Sequence, residues 1–152
     1  MRKIFVLLAS LGLVITGALF PVSAQASTAC DNAWHNATSG YFYAYDYINC
    51  SGYLGKSNGN DANWGNSSGG FQGTDNNKAH SLLHKGTSGM AVMVFNGFNH
   101  SGNWSCVKKS EYYVSNLNDD SLAGGAGSSG ASNTISSHKW VSTSSCGTSF
   151  LH

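Results

Sequence analysis

The chemistry open to this chain rests on six histidines, seven carboxylates and four cysteines. His80 and His84 stand four apart, the spacing of two metal ligands on one helix face. No glutamate follows His80 as H-E-x-x-H requires, and residues 79–84 are too short for a helix that could present the pair. Both are expected to be surface histidines. Residues 65–69 fit G-x-S-x-G and residues 125–130 fit G-x-G-x-x-G. Each of these motifs acts between a strand and a helix, and the Gly, Asn and Ser around both matches offer neither. No nucleophile, base and orienting acid stand out as a set, so the chain is expected not to be an enzyme.

The cysteines say more. Cys30, Cys50, Cys106 and Cys146 all follow an N-terminal stretch that reads as a secretory signal. Arg2 and Lys3 precede an apolar run from Ile4 to Phe20, and Ala24-Gln25-Ala26 forms a small-x-small cleavage site. Residues 1–26 are therefore expected to be removed, leaving one exported domain over residues 27–152. An even cysteine count in an oxidising compartment reads as two disulfides. Three connectivities exist, and the pairing within each half, Cys30–Cys50 and Cys106–Cys146, is favoured. A zinc site is the rival, but no two cysteines are close enough in sequence to suggest one.

Eight basic residues become six once Arg2 and Lys3 leave, against seven acidic ones, and no arginine remains. A near-neutral surface without arginine does not suit nucleic acid, which needs a basic stripe to release counterions. It suits an anionic membrane no better. A soluble, secreted monomer is expected.

The elements that must position these residues are strands. Residues 40–47, 89–95, 104–107, 111–114 and 139–142 carry the β-branched and aromatic signal, whereas residues 31–38 promise no more than a turn. The segment 41–55 repeats in 90–107. Tyr45 stands seven before Gly52, as Phe95 stands seven before Gly102. Each reads as a folded-over hairpin, its ring laid against a bend where glycine supplies positive φ. The Gly/Ser/Asn stretches 56–73 and 121–133 follow the two hairpins as long Greek-key connections. The repeat halves are expected at about 40–86 and 89–142. Trp34, Trp64, Trp104 and Trp140 read as core or as lids over the hairpins; an exposed Trp64 would instead offer sugar a flat aromatic patch.

After each connection comes a second echo, Asn76-Asn77-Lys78-Ala79-His80-Ser81 and Ser132-Asn133-Thr134-Ile135-Ser136-Ser137. Aromatic-x6-Gly followed by N/D-N/D-x-x-S/T-S, present twice, resembles the βγ-crystallin double Greek key. The secreted, Cys-bearing, Gly/Asn/Trp-rich pattern is similar to peptidase inhibitor family I36, through YFYAYDY, DANWGN, NHSGNWSCV and NTISSHKWV. The resemblance implies an all-β, βγ-crystallin-like double Greek-key sandwich that inhibits a secreted, thermolysin-like metallopeptidase by occupying its cleft.

It also implies a reactive bond at Cys106-Val107. Val107 would supply the bulky apolar residue after the bond, and a disulfide on Cys106 would hold the segment in its bound shape. No second cysteine follows within residues 108–112, so Cys106 pairs at long range. The same resemblance implies calcium ligands among Asn76, Asn77, Ser81, Asn133, Ser136 and Ser137. His80 takes a Ser/Thr position and Ser132 an Asn/Asp position, and no carboxylate contributes unless Asp75 reaches in. Calcium would then bind weakly, with Ser81 and Ser137 acting as turn hydrogen-bonders; no other cofactor is expected. The rival to inhibition is a non-catalytic secreted module, calcium-responsive or toxin-like.

Overall fold

The computed structural model of the protein describes residues 28–152; the signal segment and its cleavage site lie outside the described residues. The chain begins with helix α1 (Thr28–Asn36), where the sequence promised only a turn. Asp31 in its first turn and His35 in its last complement the helix dipole. Tertiary contacts supply the rest. Cys30 is buried and bonded to Cys50, and Trp34 Nε1 donates to the His84 carbonyl at 3.3 Å.

Nine strands follow: β1 (Phe42–Tyr47), β2 (Ser51–Ser57), β3 (Ser81–His84), β4 (Ala91–Gly97), β5 (Ser101–Val107), β6 (Tyr113–Val114), β7 (Ser121–Leu122), β8 (Ser129–Gly130) and β9 (Ser137–Val141). One sheet runs β2-β1-β3-β6 and the second β5-β4-β9, while β7 and β8 form a small hairpin of their own. In each main sheet the returning strand lies beside the first, β3 on β1 and β9 on β4, which is Greek-key order.

Alternation along the strands sorts side chains into an inner core and two outer clusters. Phe42 and Ala44 of β1, Leu82 of β3, and Val92 and Val94 of β4 face inward, joined by Trp64 and Phe71 from the first connection. Leu117, Leu122 and Ile135 join them from the second connection. Tyr43, Tyr45 and Leu83 face outward beneath α1. Ala91, Met93, Phe95 and Cys106 face outward on the second sheet, beneath Cys146 and Phe150. Each outer cover is crosslinked to its sheet, α1 by Cys30–Cys50 and the C-terminal segment by Cys106–Cys146. Two formed disulfides belong to an oxidising, extracellular setting.

Each half lends a segment to the sheet of the other. β6, which follows the second hairpin, pairs with β3 of the first sheet. Asp61, which follows the first hairpin, bridges His138 on the edge of the second sheet. Backbone bonds repeat across the same axis. Asn77 N–H donates to the Ile135 carbonyl at 2.9 Å, and Asn133 N–H to that of Ala79 at 3.0 Å. Trp64 N–H reaches the Ser136 carbonyl at 2.9 Å, and Leu117 N–H that of His80 at 2.8 Å. Such reciprocity is what an internal duplication produces.

Candidate functional site

Tyr45 and Phe95 occupy matching places. Tyr45 faces Tyr53 and Ser81 across the ladders, and Phe95 faces Trp104 and Ser137. A register shift falls beside each, folding the hairpin over. The rings differ from expectation in one respect. A side chain at Gly52 (φ 69°) would strike the ring of Tyr47, two residues nearer the bend than Tyr45. At Gly102 (φ 81°) it would strike Asn96 Oδ1. Gly97 stands where Tyr47 stands in the first copy, so no ring is available and the Asn96 amide takes its place. Phe95 instead packs against the His100 ring at 5.6 Å.

The two corner turns are tied down by the serines of the duplicated motif. Ser81 Oγ donates to the Tyr47 carbonyl at 2.6 Å and accepts from Cys50 N–H at 3.0 Å. Ser137 Oγ donates to the Gly97 carbonyl at 2.6 Å and accepts from His100 N–H at 3.2 Å. Both hydroxyls are buried and engaged by the hairpin, as turn-bonding serines are.

The other members of the motif meet across the axis. Ser136 Oγ donates to Asn77 Oδ1 at 3.0 Å, and Asn133 Nδ2 to His80 Nε2 at 2.9 Å. Among the described residues, the buried side-chain oxygens with no hydrogen-bond partner are Asn76 Oδ1 and Ser132 Oγ, the first position of each copy. Unpaired buried acceptors are costly and call for an explanation. The Asp75 carboxylate accepts from Gln72 N–H at 2.8 Å, closing the turn ahead of the first copy. The described residues contain no group of three or more His, Cys, Asp or Glu side chains able to hold a metal.

The Cys106-Val107 bond is sealed. Neither residue has more than a trace of accessible surface, and Val107 lies in the inner core opposite Val92. The C-terminal segment covers the free edge of β5: Cys106 N–H donates to the Ser149 carbonyl at 3.0 Å and the Cys106 carbonyl accepts from Leu151 N–H at 2.9 Å. A carbonyl so occupied cannot face a zinc ion, so this bond is not a surface that an enzyme could read. Trp64 is likewise enclosed, stacked on Phe71 at 4.0 Å, and offers no sugar platform. His84 is buried rather than exposed.

The turn of the first corner carries an exposed apolar pair that lies outside the candidate residues of the sequence. Tyr47 is 61% exposed and Ile48 42% exposed. Asn49 and Cys50 follow with φ of 59° and 54°, Asn49 N–H is bonded to the Ser115 carbonyl at 2.7 Å, and Cys50 is bonded to Cys30. Two apolar side chains are thus held out on a clamped turn, and their signal in the sequence is a Tyr-Ile pair just ahead of a cysteine at a predicted bend.

Neither a family model nor a curated protein sequence matches this chain. Solved structures do. One, described as bearing on the evolution of the eye-lens βγ-crystallin domain fold, has a TM-score of 0.53 at 18% identity, covering 70% of this chain and 90% of its own. A βγ-crystallin from an archaeon has a TM-score of 0.48 at 18% identity, covering 68% of this chain and all of its own. The protein has the βγ-crystallin fold.

Proposed function

We propose that the protein is an exported, non-catalytic recognition module whose working surface is the turn from Tyr47 to Cys50, and that its partner is a secreted peptidase. The observation that carries this reading is the exposure of Tyr47 and Ile48 on a turn fixed by Ser81, Ser115 and the Cys30–Cys50 bridge. A turn ordered in advance loses little freedom on binding. The bulky apolar residue that a thermolysin-like cleft prefers is supplied here by Ile48 in place of Val107. The Tyr47 carbonyl is held inward by Ser81, so the turn offers side chains to the cleft while its own backbone is kept from the attacking water. Titrated at micromolar concentration against a thermolysin-like enzyme, the folded, oxidised protein is expected to reduce peptide cleavage. Ile48→Ser is expected to weaken that inhibition about tenfold without lowering the melting temperature. Undiminished cleavage at saturating protein would remove the reading.

A second reading is weak calcium binding between the halves, favoured by the two orphaned oxygens. Asn76 with Asn77 and Ser136 would hold one ion, and Ser132 with Asn133 the other. All are neutral oxygen donors, suited to a hard cation but without the charge that gives high affinity. The ion would crosslink the halves and cap acceptors otherwise unpaired. Melting is expected to rise by a few degrees in millimolar calcium relative to chelator, and an Asn76→Leu variant to lose part of the shift. Identical curves in calcium and chelator would rule it out.

A further inference from the structure

We propose that the groove along Tyr112 binds a linear, uncharged oligosaccharide. Tyr112 ends the turn Lys109–Glu111 with φ 63° and ψ −51°. That conformation lies outside the left-handed helical region and resembles a γ-turn of positive φ, which side chains avoid. Holding a tyrosine there strains the backbone, and the ring is 51% exposed, so core burial does not offset the strain. The backbone is locked by His84 N–H, which donates to the Tyr112 carbonyl at 2.7 Å.

The strained backbone stands the ring at the junction of three clefts. The first, about 490 Å³, is formed with Asp31, Trp34, His35, Glu111 and Tyr113. The second, about 350 Å³, shares Trp34 and continues over Lys85, Gly86 and Thr87. The third, about 390 Å³, runs toward Lys108 and Thr143. Gly86 and Thr87 also line a further cleft of about 410 Å³ that reaches Asn58, Asn60, Ser88 and Trp140. Connected clefts of this kind suit an extended chain better than a single compact molecule.

The lining decides the class of ligand. Asp31 and Glu111 stand against Lys85, Lys108 and Lys109, an excess of one positive charge spread along the groove, so no strong field of either sign is built. The Lys85 ammonium already lies 3.1 Å from the centroid of the Trp34 ring, so the cation that this ring attracts is supplied by the chain itself. What remains is the exposed Tyr112 ring for the apolar face of a sugar, with carboxylates, amides and hydroxyls for its OH groups. The walls are preorganised: Tyr113 OH donates to Asp31 at 2.8 Å, and Tyr112 meets Trp34 edge-on at 5.0 Å. The groove uses none of residues 47–50 and does not depend on peptidase binding.

The test is calorimetric titration of the oxidised protein with cellohexaose, laminarihexaose and N-acetylchitohexaose, with hexalysine and hexaglutamate as charged probes. Binding of at least one hexaose is expected, unchanged in Tyr112→Phe and weakened about tenfold or more in Tyr112→Gly. Glycine accepts the native φ, and this relief of strain offsets the lost Trp34 contact and the added freedom of the unfolded chain, so the variant should still melt cooperatively near the native temperature, which separates loss of the ring from loss of the fold. Its inhibition of a peptidase should be untouched. No heat with any hexaose at millimolar concentration overturns the proposal. So does equal affinity in Tyr112→Gly, or binding of a charged probe where the hexaoses are silent.

Discussion

His138 has no exposed surface, and its ring is bonded at both nitrogens: Nδ1 accepts from Trp64 Nε1 at 3.0 Å and Nε2–H donates to the Gly59 carbonyl at 3.0 Å. That pattern requires the neutral ring. Burial lowers its pKa from 6.5 to about 4, outweighing the Gly59 bond and the nearby Asp61, which favour the charged form. His84 repeats the arrangement, with Nδ1 accepting from Gly86 N–H at 3.1 Å and Nε2–H donating to the Met90 carbonyl at 3.0 Å; burial lowers its pKa too. In the unfolded chain both rings take up protons near pH 6.5. Below that pH the unfolded state therefore binds more protons, so this stability is complete above pH 6.5 and is lost as pH falls toward 4. For His138 alone the shift corresponds to on the order of 3 kcal/mol. Melting temperature is expected to fall steadily from pH 7 to pH 4. His138→Gln, which has a donor and an acceptor but does not titrate, should melt lower at pH 7 and show a shallower decline. Parallel curves for the two proteins would place the acid sensitivity elsewhere.

At the scale of the element, the folded hairpin depends on a glycine in the left-handed region, Gly52 in one copy and Gly102 in the other. A methyl group at Gly102 meets Asn96 Oδ1, which also accepts from Asn103 N–H at 2.8 Å. Gly102→Ala adds backbone strain to this clash and should cost about 2 kcal/mol or more, read as a drop in the denaturation midpoint with an unchanged slope. The spacing of Tyr45 to Gly52 and Phe95 to Gly102 located both bends in the sequence, because a two-residue alternation and a glycine are local signals. The ring over Gly52 was misjudged because the choice between Tyr45 and Tyr47 depends on how sharply the strand bends, and the pattern of alternation is the same for both. Cys106-Val107 was misjudged for a different reason. Cys106 is covered by residues 149–151, three residues without the periodicity that announces a strand, and Val107 turns into the core shared with the other sheet. Tyr112 was overlooked as well, although Tyr112 and Tyr113 are adjacent, and a strand turns neighbouring side chains to opposite faces.

For the whole molecule, the exchanged segments decide what folds on its own. The first sheet takes β6 from the second half, and the second sheet takes Asp61 from the first. The inner core mixes Trp64 and Phe71 with Leu117, Leu122 and Ile135, so neither half has a closed apolar interior. A stack of independent repeats would let each unit keep part of its stability when cut from its neighbour. Here a cut between β3 and β4 removes a sheet edge and about half of a shared core from each side. Domains of roughly 60 residues are marginal even when complete. The fragments 28–87 and 88–152, prepared separately with their own disulfides, should show no cooperative melting and no dispersed amide spectrum. Each disulfide closes within one fragment, so the loss cannot be attributed to a missing crosslink. Mixed at equal concentration they should recover a single transition whose midpoint rises with concentration, as mass action demands of two chains folding as one. A cooperative transition in either fragment alone would mean that the two halves are joined side by side, and that the exchange of segments across the axis is not what holds them together.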